Sequence, residues 1–248
     1  MKIEFLGTGT SMGVPRMACD CPVCISKNSR NKRLRSSVLL TLNNENILID
    51  CGPDFRQQML RAGTKSLAAI LLTHEHYDHV GGLDDVRPFG QLNIYAERRV
   101  LDAIQHNMPY SFAEKKYKGV PEFLLNEITD KPFSVGNWHF QPIHLKHQNL
   151  PVFGYRIGNF AYLTDFNAID EKEFEKLQNL EILVIDALRQ RPHPSHNSLE
   201  EALAFTTKIN AKRTYFTHIC HAMGLHEDVE KILPKNVWLA YDGLEIFI

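Results

Sequence analysis

Short apolar runs broken by Gly, Pro, Asn and Asp recur along the chain and read as strands, with a few longer amphipathic stretches that read as helices. Residues 3–6 predict a strand that runs into the Gly-rich turn Gly7-Thr-Gly-Thr-Ser-Met-Gly13. Residues 37–42 and 46–49 predict a hairpin folded across Asn43-Asn44. Asp50-Cys-Gly-Pro-Asp54 is a turn, and Pro53 suits the first position of a helix that ends near Gly63. Residues 69–73 predict a buried strand, 93–95 a strand, and 97–105 a helix. Residues 108–129 carry charge and aromatics with little periodicity. They read either as a lid near a site or as a surface loop with one short helix. In the second half, strands are predicted over 138–145, 152–157, 160–163, 182–186, 213–217, 237–240 and 245–247. Helices are predicted over 171–177, 199–209 and 227–233, with Ser198 as the N-cap of the second.

Composition narrows the class. The chain has 248 residues, long enough for one large domain or two small ones. Pro/Gly-rich linkers are absent, so residues 1–248 read as two sheets within one domain. The 44% hydrophobic and 23% charged fractions are those of a soluble globular protein. The 28 basic and 29 acidic residues leave a net charge of −1, so no global field gathers a polyanion. Glu4 interrupts the N-terminus before any run of signal-peptide length, and no segment approaches the ~20 apolar residues of a membrane span. A cytoplasmic protein without membrane contact is expected. Nucleic acid is not a favoured partner. The pattern allows a homodimer but does not reveal the oligomeric state.

The candidate chemistry is concentrated in Leu71-Leu-Thr-His-Glu-His-Tyr-Asp-His-Val-Gly-Gly82, which places His74, His76, Asp78 and His79 directly after an apolar strand. Four ligand-capable side chains on one turn are costly to bury unpaired, whereas metal ions give them a purpose. Three further sites have the same setting just past a short apolar run: His144 and His147 after residues 140–143, Asp165 after 161–164, and His218 after 214–217. Each alone reads as a loop residue, and their joint occurrence is the signal. Asp50 also ends a strand; it reads equally as a carboxylate orienting a ligand histidine through its free N–H or as a turn residue. Cys19-Asp-Cys21-Pro-Val-Cys24 crowds three thiols into one turn. Three thiolates and one nitrogen make a closed structural zinc site. The fourth ligand is His221 or His226, with His221 preferred; a redox role is the competing reading. Cys51 and Cys220 lack partners in sequence and read as packing residues.

In the order His74-x-His76-x-Asp78-His79, then His147, Asp165 and His218, the chain resembles the metallo-β-lactamase superfamily over essentially its whole length. The resemblance implies an α/β fold, the αββα four-layer sandwich, with metals at one edge of two facing sheets. It implies that His74, His76 and His147 hold one ion, that Asp78, His79 and His218 hold a second, and that Asp165 bridges them. His144 is the runner-up to His147. An aspartate bridge points to the phosphodiesterase side of the superfamily. There, two ions roughly 3.5–4 Å apart activate a hydroxide between them, with Asp78 counted in the catalytic group. Zinc, manganese or iron suits this donor set. Gly7-Thr-Gly9, the three clustered cysteines and His218-Ile-Cys-His221 narrow the resemblance to the phosphoribosyl cyclic phosphodiesterases of carbon–phosphorus lyase pathways. That likeness implies a small, cyclic phosphodiester substrate. It also implies His196 as general acid, with His193 the weaker candidate. Arg189 and Arg191 read either as contacts for a substrate phosphate or as exposed loop residues. The alternatives on the same fold are a tRNA 3′-processing endoribonuclease, with Lys115, Lys116 and Lys118 as its basic segment, a non-catalytic accessory protein of cofactor biosynthesis, and a thioester or lactone hydrolase.

Overall fold

The apolar runs become fifteen strands in the computed structural model, which describes residues 1–248. The first half supplies β1 (Lys2–Gly7), β2 (Ser37–Leu42), β3 (Glu45–Ile49), β4 (Ala69–Leu71), β5 (Gln91–Ala96) and β6 (Glu122–Glu127). The second half supplies β7 (Phe133–Val135), β8 (Trp138–His147), β9 (Leu150–Ile157), β10 (Phe160–Leu163), β11 (Ala168–Ile169), β12 (Ile182–Asp186), β13 (Arg213–Thr217), β14 (Val237–Leu239) and β15 (Glu245–Phe247). One sheet runs β15-β1-β2-β3-β4-β5-β6, and the other runs β11-β8-β9-β10-β12-β13-β14 with β7 beside β8. The helices are α1 (Pro22–Ile25), α2 (Phe55–Ala62), α3 (Tyr77–Val80), α4 (Arg98–Asn107), α5 (Leu199–Ile209) and α6 (His226–Val229).

Three apolar layers hold these elements in an α/β sandwich. Side chains from both sheets, among them Phe5, Leu40, Ile49, Phe140, Tyr162 and Val184, fill the space between them. On the outer face of the first sheet, Leu39, Leu48 and Ile70 pack against Phe55 and Met59 of α2 and Val100 and Ile104 of α4. On the outer face of the second, Leu163, Leu183 and Phe216 pack against Leu199, Ala202 and Ile209 of α5. Strand β15 returns from the end of the chain to pair with β1, so the first sheet contains both ends of the sequence.

Several elements have local causes. Asn43 and Asn44 both have positive φ, 48° and 69°, as a two-residue hairpin turn requires. Ser198 and Glu201 close a capping box on α5, and Asn210 ends that helix in the left-handed region. Other expectations are corrected. Helix α2 begins at Phe55, not Pro53, and the Asp54 carboxylate accepts from the Arg35 N–H instead of capping the helix. Residues 171–177 form a 3-10 helix, and the last helix is only α6. Residues 108–129 hold a short 3-10 turn and then β6, which extends β5 in parallel as an edge strand. Its faces are half exposed on both sides, which erases the alternation that would have marked it.

Strands β3, β4 and β5 run parallel in one sheet, and β10, β12, β13 and β14 run parallel in the other. Their carboxyl ends gather the polar residues Asp50, Thr73, His74, Asp165, Asp186 and His218. Ligand sites in open α/β sheets lie at such ends. The two loops that carry Asp50 and His79 are in backbone contact: the Cys51 N–H donates to the His79 carbonyl and the Gly82 N–H to the Cys51 carbonyl, both at 2.8 Å. A Cβ on Gly52 would lie 2.1 Å from the Asp78 carbonyl oxygen. Gly52→Ala is therefore expected to destabilise the fold by about 3 kcal/mol, the upper range for overpacking, measured as a drop in the urea midpoint.

Candidate metal centre and active site

Asp165 is the meeting point. Ligand atoms of Asp78, His79, Asp165 and His218 lie within 4.8 Å of one another, as do those of His74, His76 and Asp165, and those of His147, Asp165 and His196. The Asp165 carboxylate stands 3.2 Å from His218 Nε2, 3.3 Å from His79 Nε2 and 3.7 Å from His74 Nε2. Asp78 lies 3.3 Å from His79 Nε2 and 3.6 Å from His218 Nε2. All seven ligand candidates, from the ends of four strands, are thus brought together. His144 is not: its ring packs edge-on against Phe153, while the His147 ring sits 5.3 Å from that of His76.

The backbone supplies part of the aim. Asp50, Asp165 and His218 each follow a strand and each adopt positive φ, at 65°, 51° and 56°. Left-handed backbone is uncommon for residues with side chains, and here it occurs at three points of one cluster.

Hydrogen bonds settle which ring nitrogens are free. His79 Nδ1 donates to Asp50 at 2.7 Å, and the Thr73 N–H and hydroxyl hold the same carboxylate. The Thr73 hydroxyl in turn faces His74 Nδ1 at 2.9 Å, and His147 Nδ1 donates to the Ser195 carbonyl at 2.7 Å. These contacts leave Nε2 of His74 and His79 buried without a partner, and neither nitrogen of His218 has one. Unpaired buried imidazole nitrogens converging on a carboxylate are a donor set for a divalent cation, and the side chains present fit one.

The charges agree. Burial opposes ionisation of Asp165 and Asp78, yet the imidazoles of His218 and His79 hold both carboxyls well below the usual carboxylate range. Burial would lower His79, but Asp165, Asp50 and Asp78 push it well above an ordinary imidazole. His74 goes the other way, lowered by burial and by His79. Two buried carboxylates need positive charge beside them, which imidazoles supply only by taking up protons.

At the mouth, His196 stacks against His218 with centroids 4.9 Å apart and tilts against His147 at 4.5 Å. Its Nδ1 is 3.6 Å from the buried Asp186, which also accepts from the Asn197 side chain at 2.8 Å. His193 stands one ring further out, 5.2 Å from His196. Arg189 is turned away from the phosphate-contact reading, since its guanidinium donates to the carbonyls of Arg191 and Pro192 in its own loop, and Arg191 is exposed.

The thiols form a second cluster. Cys19, Cys21, Cys24 and His221 bring four ligand atoms within 4.8 Å, with His221 Nδ1 3.3 Å from both Cys19 Sγ and Cys21 Sγ. Burial opposes it, but hydrogen bonds from His221 and from Cys24 lower the Cys21 thiol to about 6, while burial raises Cys24 to about 11. His226 lies elsewhere, accepting at Nδ1 from the buried Arg33 at 3.1 Å. The Gly7-Thr-Gly9 turn joins the two clusters: the Ile219 N–H donates to the Thr8 carbonyl and the Thr10 N–H to the Ile219 carbonyl, bracing the residue next to His218.

Sequence reasoning missed Thr73, Asp186 and Arg99. Arg99 pairs with Glu75, which lies between His74 and His76, and donates to the Pro151 carbonyl at 2.6 Å, so α4 clamps the loops that carry His76 and His147. Thr73 and Asp186 end or follow strands and are legible on that rule. Nothing in the sequence marks Arg99.

Comparisons with known proteins bear on the family and the fold. A family model described as a beta-lactamase superfamily domain matches residues 45–219. An octanoyltransferase of Porphyromonas gingivalis is 44% identical over 254 residues, spanning 100% of this chain and 52% of that protein. A coenzyme PQQ synthesis protein B of Methylobacterium radiotolerans is 31% identical over 121 residues, spanning 43% of this chain and 40% of that protein. The chain therefore spans about half the length of the first of these relatives or less of the second. Among solved structures, a diphosphatase of the PhnP family superposes with TM-score 0.93 at 38% identity, covering 100% of this chain and 97% of that one. Zn2+-bound PqqB of Methylobacterium extorquens (TM-score 0.79, 19% identity, full coverage of both chains) shares the fold. So does the short form of human tRNase Z (0.74, 21%, covering 100% and 99%).

Two outcomes are expected. Asp50→Asn weakens the hold on His79 and lowers divalent-metal affinity by 10- to 100-fold, read by competition with a chromogenic chelator. His226 is held near 4 by burial and by the neighbouring Arg33 and Arg30, below its unfolded value. The unfolded chain thus takes up the proton first, and stability present above about pH 6.5 falls as pH drops toward 4. His226→Gln keeps an acceptor for Arg33 and flattens that part of the urea-midpoint profile between pH 7 and pH 5.

Proposed function

The chain belongs to the beta-lactamase superfamily, and we propose that it is a metal-dependent hydrolase that cleaves a P–O bond of a small phosphodiester, cyclic or diphosphate-linked. The observation that carries this reading is the Asp165 carboxylate shared by three donor groups, with His196 standing against two of their imidazoles. The 38% identical diphosphatase supports the phosphorus chemistry.

His74, His76 and His147 would hold one divalent ion, and Asp78, His79 and His218 a second, with Asp165 between them. Zinc, manganese or iron suits these donors. Bound there, the ions supply Lewis acidity toward a phosphoryl oxygen and a water acidic enough to ionise near neutral pH. The protein's own groups do the rest. Asp50 and Thr73 lock the tautomers of His79 and His74 so that Nε2 faces inward. The Ser195 carbonyl does the same for His147. Burial lowers His196, but the carboxylates of Asp186, Asp165 and Asp78 outweigh it and raise the imidazole above its ordinary value. His196 thereby holds a proton at the mouth and delivers it to the departing alkoxide. Cys19, Cys21, Cys24 and His221 would hold a structural zinc, whose role is to fix the N-terminal loop against the residues after His218. An endonuclease reading has less support: Lys115, Lys116 and Lys118 lie in a short exposed stretch before β6, and the net charge is −1.

The test is metal analysis combined with turnover of bis(p-nitrophenyl) phosphate, cyclic phosphates, diphosphate diesters and a tRNA precursor. Hydrolysis of the small diesters is expected. Metal-replete protein inert toward all of them removes the proposal. His196→Ala is expected to lower turnover by about 10²–10⁴-fold with metal content unchanged. Wild-type turnover in that variant excludes His196 from proton transfer.

A further inference from the structure

A cavity of about 390 Å³ opens beside the metal loop, between α3 and the segment that follows α4. The reaction outlined above makes no use of it. We propose that this cavity is a specificity pocket for a flat aromatic ring of the substrate, a nucleobase on the phosphodiester, with Tyr77 as the stacking platform. The inference rests on the proposed hydrolysis and adds a substrate class to it.

Continuity with the site comes first. Tyr77 sits between His76 and Asp78, so the cavity begins one residue from two members of the cluster. The Tyr77 side chain itself stays outside the cluster, and the residue is 71% exposed. Its ring lies over Gly81, where a Cβ would be 2.8 Å from the ring carbons Cε2 and Cζ. Gly81 has an ordinary helical φ of −64°, so its backbone does not call for glycine. The missing side chain leaves room for the Tyr77 carbonyl oxygen, 2.7 Å from where a Cβ would stand, and for the ring.

Tyr110 supplies a second aromatic group in the lining. Its hydroxyl donates to Asp84 at 2.7 Å, and Asp84 is paired with Arg87, so the ring is tethered. Leu83 and Met108 complete an apolar lining. Asp84 and Asn107 bring the only carboxylate and amide, and no lysine or arginine lines the cavity. A phosphate has no cation to meet there. A ring with amino donors at its edge finds the Asn107 amide oxygen, and its faces find aromatic and apolar walls. The volume falls in the range of small-molecule sites.

The discriminating probes are AMP and ribose 5-phosphate, which share phosphate and sugar and differ in the base. Binding of each to metal-loaded protein is measured by equilibrium dialysis. The wild type is expected to hold AMP about tenfold more tightly, the effect of one base stacked on an aromatic side chain. Tyr77→Ala and Tyr110→Leu each bring the two affinities toward equality, and Tyr77→Phe keeps the preference. Tyr110 is remote in sequence from the metal loop, so its variant reads the pocket even where Tyr77→Ala disturbs the ions. Equal binding in the wild type, binding of neither probe, or a preference untouched in both Tyr77→Ala and Tyr110→Leu overturns the pocket. Turnover of bis(p-nitrophenyl) phosphate judges the hydrolysis separately, because these affinities do not depend on it.

Discussion

The buried carboxylate of Asp165, ringed by imidazoles at one edge of two sheets, is the constraint around which the rest is arranged. A carboxylate excluded from water is tolerated only with positive charge beside it. Six histidines approach it or its immediate neighbours, and several present nitrogens that nothing else in the protein satisfies. A core free to pack by apolar burial would not assemble such a group.

The surrounding structure bears the strain. Asp50, Asp165 and His218 leave their strands in a left-handed backbone that costs non-glycine residues of order 1–3 kcal/mol each. Parallel strands deliver all three to the same edge, and the three apolar layers hold those strands in place. Hydrogen bonds then act from behind. Asp50 faces both His79 and Thr73, Thr73 faces His74, and Ser195 holds His147. Each ring is turned through its far nitrogen, which is why the near one remains available. The thiol cluster brings the N-terminal loop against His221, three residues past His218, so the two donor clusters share one wall.

Much of this was legible because the relevant residues are neighbours in the chain or obey one rule of placement. His74, His76, Asp78 and His79 announce themselves within one turn. Asp165 and His218 follow apolar strands, as does Asp50. The choice of His147 over His144 rested on the short gap and strand that follow it, as in the family it resembles, and the structure puts the His147 ring beside His76 and the His144 ring against Phe153. Other features had no local sign. The clamp from Arg99 onto Glu75 and Pro151 joins residues far apart in sequence. Edge strand β6 was hidden because neither of its faces is fully buried. Arg189 read either as a phosphate contact or as a loop residue, and its guanidinium closes its own loop.

By itself, the amino-acid sequence determined the donor types, their order, the alternation of strands and helices and the crowding of three thiols, because residue chemistry and hydrophobic period are properties of short stretches. Tertiary structure decided which donors meet. It selected His221 over His226, made Asp165 common to three groups, set His196 against His218 and put Tyr77 and Tyr110 on one cavity. Those choices depend on contacts between residues distant in sequence and on backbone angles set by the strands behind them. No local pattern encodes a distance across two packed sheets.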